Sequence, residues 1–226
     1  MRVLRGRAAT IDEDRTVTGT MVADAAETGE RVVRVWTPHR QVAFGRRDAG
    51  ADGYERARAA AEARGYPPVE RDVGGRAVAY TGSTVAFARA EPVADMRRGL
   101  QDRYSRMTTD LQVALSRVGV HARPGEPDGA FCPGTHSLQA QGKLVGIAQQ
   151  VTEGAALVAG VVIARDHEAV VTVLDPVYEA LGVPFDPGSV GSVERAGGDG
   201  RPSAVVSAVE GALVGDEDPR IEQVEA

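Results

Sequence analysis

Cys132 and Lys143 are each the sole residue of their type in this sequence, and they lie close together along the chain. A thiolate is a strong nucleophile, and a lysine ammonium is a compact, tunable point charge that arginine cannot replace. Lysine and arginine together number 26, so the other 25 basic residues are arginine. The arginine bias and the lack of Asn are those of a GC-rich genome, which accounts for most of the missing lysines. Cys132 falls in the loop stretch Gly129-Ala-Phe-Cys-Pro-Gly134, whose Gly and Pro residues keep it out of a regular element. A lone cysteine is ordinarily a small buried hydrophobe; a loop thiol beside a cation can act as a nucleophile. Lys143 opens the apolar run Leu144–Val151. The ordinary reading is a solvated charge at a strand end; the functional one is a cation aimed at a carboxylate or an acyl oxygen.

A third stretch could bind an anion. In Arg71-Asp-Val-Gly-Gly-Arg76 the glycine pair allows close approach of the backbone, and its N–H groups can cradle negative charge. The plainer alternative is a tight hairpin turn with surface arginines. The closing Gly-Lys-Ser/Thr of a Walker phosphate loop is absent. His39, His121, His136 and His167 are scattered, and with one cysteine they give no metal-ligand spacing, so no metal site is expected.

The elements that must position these residues read as follows. Thr10-Ile-Asp-Glu-Asp starts a helix that runs to about Glu27 and stops at Gly29. Short strands follow at 31–37 and 41–44, and a helix at 54–64. Strands surround the glycine pair and continue from Ser83 to Ala90. Leu100, Tyr104, Met107, Leu111, Leu115 and Val118 mark the apolar face of a helix over 97–118. Strands at 144–151 and 155–164, a helix at 167–181, a glycine-rich loop or linker at 187–201 and a helix at 203–214 complete the pattern. Strand pairs interleaved with helices predict an α+β fold with a mixed β-sheet flanked by helices. Residues 1–214 are expected to form one domain, and the acidic segment 215–226 to fray. A net charge of −6 and a pI near 5.3 argue against a sequence-independent nucleic-acid binder. One cysteine makes no internal disulfide, and the sequence shows neither an apolar signal region nor a bilayer-spanning run, so a cytoplasmic location without membrane partners is expected.

Three stretches in order resemble the biotin/lipoate protein ligase superfamily, in its lipoate-protein ligase and octanoyltransferase branch. They are Val42-Ala-Phe-Gly-Arg-Arg-Asp48, then Arg71-Asp-Val-Gly-Gly-Arg-Ala-Val78, then Phe131-Cys-Pro-Gly-Thr-His-Ser137 with Gly142-Lys-Leu-Val-Gly-Ile-Ala-Gln149. The resemblance implies the catalytic-domain fold shared with class II aminoacyl-tRNA synthetases. It implies that Arg71, Gly74, Gly75, Arg76, Ala77, Val78 and Ala79 wrap the acyl group, and that Lys143, with Gly146 and Ala148 on its strand, contacts the acyl carboxyl. The sequence departs from the ligase pattern at Glu70, Val73 and Arg76, which stand for an arginine, a hydroxyl residue and a third glycine. Phe-Cys-Pro-Gly also replaces the ligase Asn-Asp pair. Cys-Pro-Gly ahead of the lysine is similar to the octanoyl amidotransferases, in which the cysteine carries an acyl thioester.

The resemblance therefore implies attachment of a lipoyl or octanoyl group to the lysine of a lipoyl carrier, either the glycine cleavage H protein or an E2 lipoyl domain. Cys132 would form the thioester and Lys143 would assist. Two alternatives stand beside it. One is an ATP-dependent lipoate-protein ligase using ATP and Mg, or more remotely a biotin ligase. The other is a non-catalytic or accessory cofactor-binding relative. The extra C-terminal domain of full-length ligases is expected to be absent.

Overall fold

A computed structural model describes residues 1–71 and 75–225. β1 (Arg2–Arg5) leads into α1 (Ile11–Thr28). Thr10 starts that helix with a reciprocal cap: its hydroxyl accepts the Glu13 N–H at 3.2 Å, while the Glu13 carboxylate accepts the Thr10 N–H at 2.9 Å. Next come β2 (Val32–Trp36), β3 (Gln41–Phe44), the single turn α2 (Arg46–Ala49), α3 (Tyr54–Glu62), β4 (Pro68–Glu70), β5 (Val78–Tyr80) and β6 (Val85–Pro92). The chain continues through α4 (Leu100–Arg117), β7 (Arg123–Pro124), β8 (Ser137–Gln139), β9 (Lys143–Thr152), β10 (Ala155–Val162), α5 (His167–Leu181), α6 (Pro202–Val214) and β11 (Arg220–Gln223).

Eight strands form the main sheet in the order β11-β1-β2-β6-β10-β9-β8-β7, parallel where β1 meets β11 and β2, antiparallel elsewhere. Strand parity gives its two faces different work. Val33, Val158 and Val162 point toward α4 and α6, where Met107, Leu111 and Leu115 are fully buried. Burying each such side chain stabilises the fold by about 1.5–3 kcal/mol. The alternate residues Val32, Ala88, Ala90 and Leu157 face α1. A second sheet, β4-β3-β5, packs under α3 and α5. Pro176 lies inside α5 and cannot donate to the Thr172 carbonyl; the Arg64 guanidinium fills that place at 3.1 Å.

Four expectations are corrected. The glycine pair does not turn a hairpin, because β4 and β5 flank β3 on opposite sides, one parallel and one antiparallel. The acidic segment 215–226 was expected to fray, yet Arg220–Gln223 adds a strand to β1, with Arg2 held by Glu222 at 2.7 Å. The long amphipathic helix begins at Leu100 rather than residue 97, since Gly99 takes φ +73°, and Leu100 is exposed. The 187–201 stretch is no linker: Ser189, Val190, Ser192 and Val193 are buried.

Candidate active site: a cleft ending in a thiol and a buried ion pair

The α1 face of the main sheet is carpeted with small side chains. Register places Trp36, Ala86, Val161 and Gly146 in one transverse row, then Arg34, Ala88, Ala159 and Ala148, then Val32, Ala90, Leu157 and Gln150. Alanine and glycine at the middle of these rows leave space between sheet and helix. The space is a cleft of about 760 Å³ that reaches from Val22 and Thr152 to Cys132 and Lys143. Arg34 is the one charged group in these rows and is fully buried. Its partner is Asp14 of α1, whose carboxylate also accepts the Trp36 indole N–H at 2.8 Å. That network pins the start of α1 and the Trp36 wall to β2.

Cys132 lies on the loop between β7 and β8, half-buried at one end of the cleft. Its φ is +41°, in the left-handed region that a residue with a Cβ avoids. Such strain persists where surrounding contacts over-determine it. Here the Cys132 N–H donates to the Tyr178 hydroxyl at 2.6 Å, and that hydroxyl donates to the Ala77 carbonyl at 3.0 Å. Burial pushes the Tyr178 phenol well above its ordinary value, so it keeps the proton that makes the second bond. The Arg71 guanidinium donates to Cys132 Sγ at 3.3 Å and to the Arg76 carbonyl at 2.7 Å. A guanidinium on the sulfur is a counter-ion for the thiolate form, the nucleophilic one.

Lys143, the first residue of β9, is 1% exposed. Its three ammonium donors meet Glu126 Oε1 at 2.7 Å, the Phe131 carbonyl at 2.9 Å and the Cys132 carbonyl at 2.9 Å. Its own carbonyl accepts from Gly191 N at 2.9 Å, so the buried 187–201 segment fixes the lysine backbone. The solvated strand-end charge is thereby excluded, and thiol and lysine share one end of the cleft.

The other sequence candidates divide. Arg71, Val78, Gly146 and Ala148 line the cleft. A Cβ on Gly146 would meet Lys143 Cε at an ordinary 3.7 Å, so the glycine serves to keep space in front of the lysine. Gly75, Arg76, Ala77 and Ala79 stand behind the wall. Gly75 is in such close approach to Gly45 that a Cβ on Gly45 would lie 2.5 Å from the Gly75 carbonyl carbon. The Arg76 guanidinium is taken by Asp48 at 3.1 Å, and Ala79 is buried on β5. Gly74 lies outside the described residues. Sequence reasoning passed over Glu126, Tyr178, Trp36, Tyr80 and Ala159. The period-2 run Ala86-x-Ala88-x-Ala90 was the available sign of the cleft floor. His136 also borders the cleft, stacked on Tyr104 with ring centroids 3.6 Å apart; burial lowers its pKa below the ordinary value. Among the described residues, no three His, Cys, Asp or Glu side chains are grouped to hold a metal ion, and no helix is long and apolar enough to cross a membrane.

The mixed sheet flanked by helices is a fold that this chain shares with solved lipoate-protein ligases. Lipoate-protein ligase A bound with ATP superposes with a TM-score of 0.75 over 99% of this chain and 88% of that one, at 18% identity. The Thermoplasma acidophilum structure of a bi-partite lipoate protein ligase and its E2 lipoyl domain gives 0.60 over 99% and 86%, at 16% identity. The lipoyl protein ligase A/B catalytic domain matches residues 16–181, and the chain belongs to that family. A curated relative, the octanoyl-GcvH:protein N-octanoyltransferase of Geobacillus kaustophilus, is 27% identical over 133 residues, 58% of this chain and 47% of that protein. The chain spans about half the length of the curated relatives it matches.

Proposed function

We propose that this protein is an acyltransferase that moves an octanoyl or lipoyl group onto the lysine of a lipoyl-carrier domain through a thioester on Cys132. One observation carries the reading: a strained, guanidinium-paired thiol sits at the end of an apolar cleft, beside a buried lysine. The acyl chain lies on the Ala and Gly floor, with its carbonyl at Cys132. The thiolate adds to that carbonyl, the bond to the donor's lysine nitrogen breaks, and the leaving amine takes up a proton. The acceptor lysine amine then attacks the thioester, loses its proton, and releases the sulfur. Splitting one amide exchange into two steps is what covalent catalysis offers. The relatives' name supports a GcvH-type donor, and the E2 lipoyl domain of the Thermoplasma acidophilum ligase structure supports an E2-type acceptor. ATP and Mg belong only to the ligase alternative, and the capture of Arg76 by Asp48 weighs against that site as a nucleotide cradle.

Incubation with an octanoylated carrier should leave one octanoyl adduct, located by mass spectrometry on Cys132. No adduct, together with lipoate-dependent exchange between ATP and pyrophosphate, would replace this reading with the ligase. The cleft makes a separate prediction. Ala159→Leu puts an isobutyl group on the floor between Ala88 and Ala148. Discrimination worth roughly 1–3 kcal/mol per methylene should lower kcat/KM for octanoyl transfer at least ~10-fold while sparing a butanoyl substrate. Equal losses for both chain lengths would show that the acyl group lies elsewhere.

A further inference from the structure

Lys143 ties three segments of the site together. An ammonium has three donors, and all three are committed to protein acceptors. Two of those acceptors are the carbonyls of Phe131 and Cys132, the peptide units on either side of the strained thiol residue. Turned inward to the lysine, they fix the loop conformation that gives Cys132 its positive φ. Carbonyls alone do not cancel a buried charge. The third acceptor, the Glu126 carboxylate, does so, and it is itself fixed from the other side by the Ser137 hydroxyl. Backbone pairing of Gly125 N to the Ser137 carbonyl at 3.1 Å ties the Glu126 loop to β8. Glu126 thus touches neither the sulfur nor the cleft floor, yet it determines how strongly the lysine is held against the two carbonyls.

We propose that Glu126 is a positioning residue: its carboxylate anchors the Lys143 ammonium, which draws the Phe131 and Cys132 carbonyls inward and so aims the thiol into the apolar cleft. The inference rests on the acyl-cleft reading of Cys132, and its test separates the two. The probe is a pair of alkylating reagents, iodoacetamide and N-octyl iodoacetamide. In both, the Cys132 sulfur displaces iodide, a C–S bond forms, and the thiol proton passes to buffer. The octyl reagent gains only if its chain enters the cleft while the sulfur faces that cleft. The ratio of the two rates therefore reports aim, and a mere loss of fold stability does not move it.

Wild-type protein should prefer the octyl reagent. In Glu126→Gln and Glu126→Ala that preference should fall at least ~10-fold, since small misplacements of a reacting atom cost up to about 10²-fold. Lys143→Met should lose it likewise, and the Glu126→Gln/Lys143→Met double variant should be no worse than Lys143→Met alone, because the glutamate acts through the lysine. If the Glu126 variants do not fold, Ser137→Ala, which removes only the second anchor of the carboxylate, should give a smaller fall in the same ratio. A wild-type protein with no octyl preference overturns the acyl-cleft reading and this inference with it. A wild-type preference that survives intact in Glu126→Gln, or in Ser137→Ala where that is the variant that folds, overturns the inference alone.

Discussion

Cys132→Ala should fold normally and transfer no acyl group. Removal of a covalent nucleophile is expected to cost at least about 10³-fold in turnover, with no acyl adduct at any position. The control comes from the backbone. Cys132 sits at φ +41°, a conformation glycine adopts freely and alanine does not. Cys132→Gly should therefore be the more stable variant, by about 1 kcal/mol or more over Cys132→Ala, and equally inactive. Chemical denaturation and single-turnover transfer measure the two effects on the same preparations. That pattern would mean the protein tolerates strain at one residue for the sake of a thiol. Transfer by Cys132→Ala at the wild-type rate would remove the thioester from the mechanism altogether. Cys132→Ser belongs with the inactive variants, because among the described residues the hydrogen-bond partner of the sulfur is the Arg71 guanidinium, which cannot act as a general base, and a hydroxyl needs one.

What was legible in the sequence is what local chemistry specifies. Thr10 and Glu13 announce the start of α1, and Gly29 its end, because a cap is made by residues a few positions apart. The same holds for the apolar periodicity of α4 from Tyr104 onward. The mixed-sheet fold was readable too, and Cys132 and Lys143, singled out as the sole residues of their types, meet through the Cys132 carbonyl at 2.9 Å. Partners supplied from elsewhere were not readable. Glu126 lies 17 residues before Lys143 in a Pro-Gly-Glu-Pro loop, and nothing in the pattern of the 167–181 helix marks Tyr178 as the partner of the Cys132 N–H. The hairpin expected at the glycine pair failed for the same reason. Sequence proximity favours β4 beside β5, but β3 takes the place between them through Val42 and Ala43. The 215–226 segment looked frayed on charge alone, whereas its Glu222 has a partner at the opposite end of the chain in Arg2.

Lys143→Met is the variant expected to lose both stability and activity, and the size of the two losses separates structural from chemical roles. Methionine keeps most of the volume and removes the charge. Glu126 is then left facing a pocket without a cation, and the Phe131 and Cys132 carbonyls lose their shared donor. Breaking a buried pair by deleting one partner costs about 3–5 kcal/mol. At about 2–4 °C per kcal/mol for a chain of this size, the melting midpoint should fall by roughly 10 °C. Acyl transfer should fall by at least about 10³-fold, because the thiol loses its aim as well as a nearby positive charge. Lys143→Arg keeps the charge, but a planar fork cannot direct three donors at three converging acceptors. It should remain close to wild type in melting yet transfer about 10²-fold more slowly. The decisive comparison is Glu126→Leu/Lys143→Met. Replacing both members of a buried pair by apolar residues is often close to neutral for stability, so the double variant should recover much of the lost melting temperature. Transfer should stay absent. Recovery of both would mean the pair was needed only to be filled, while recovery of stability alone assigns the lysine and its carboxylate to the chemistry of the neighbouring thiol.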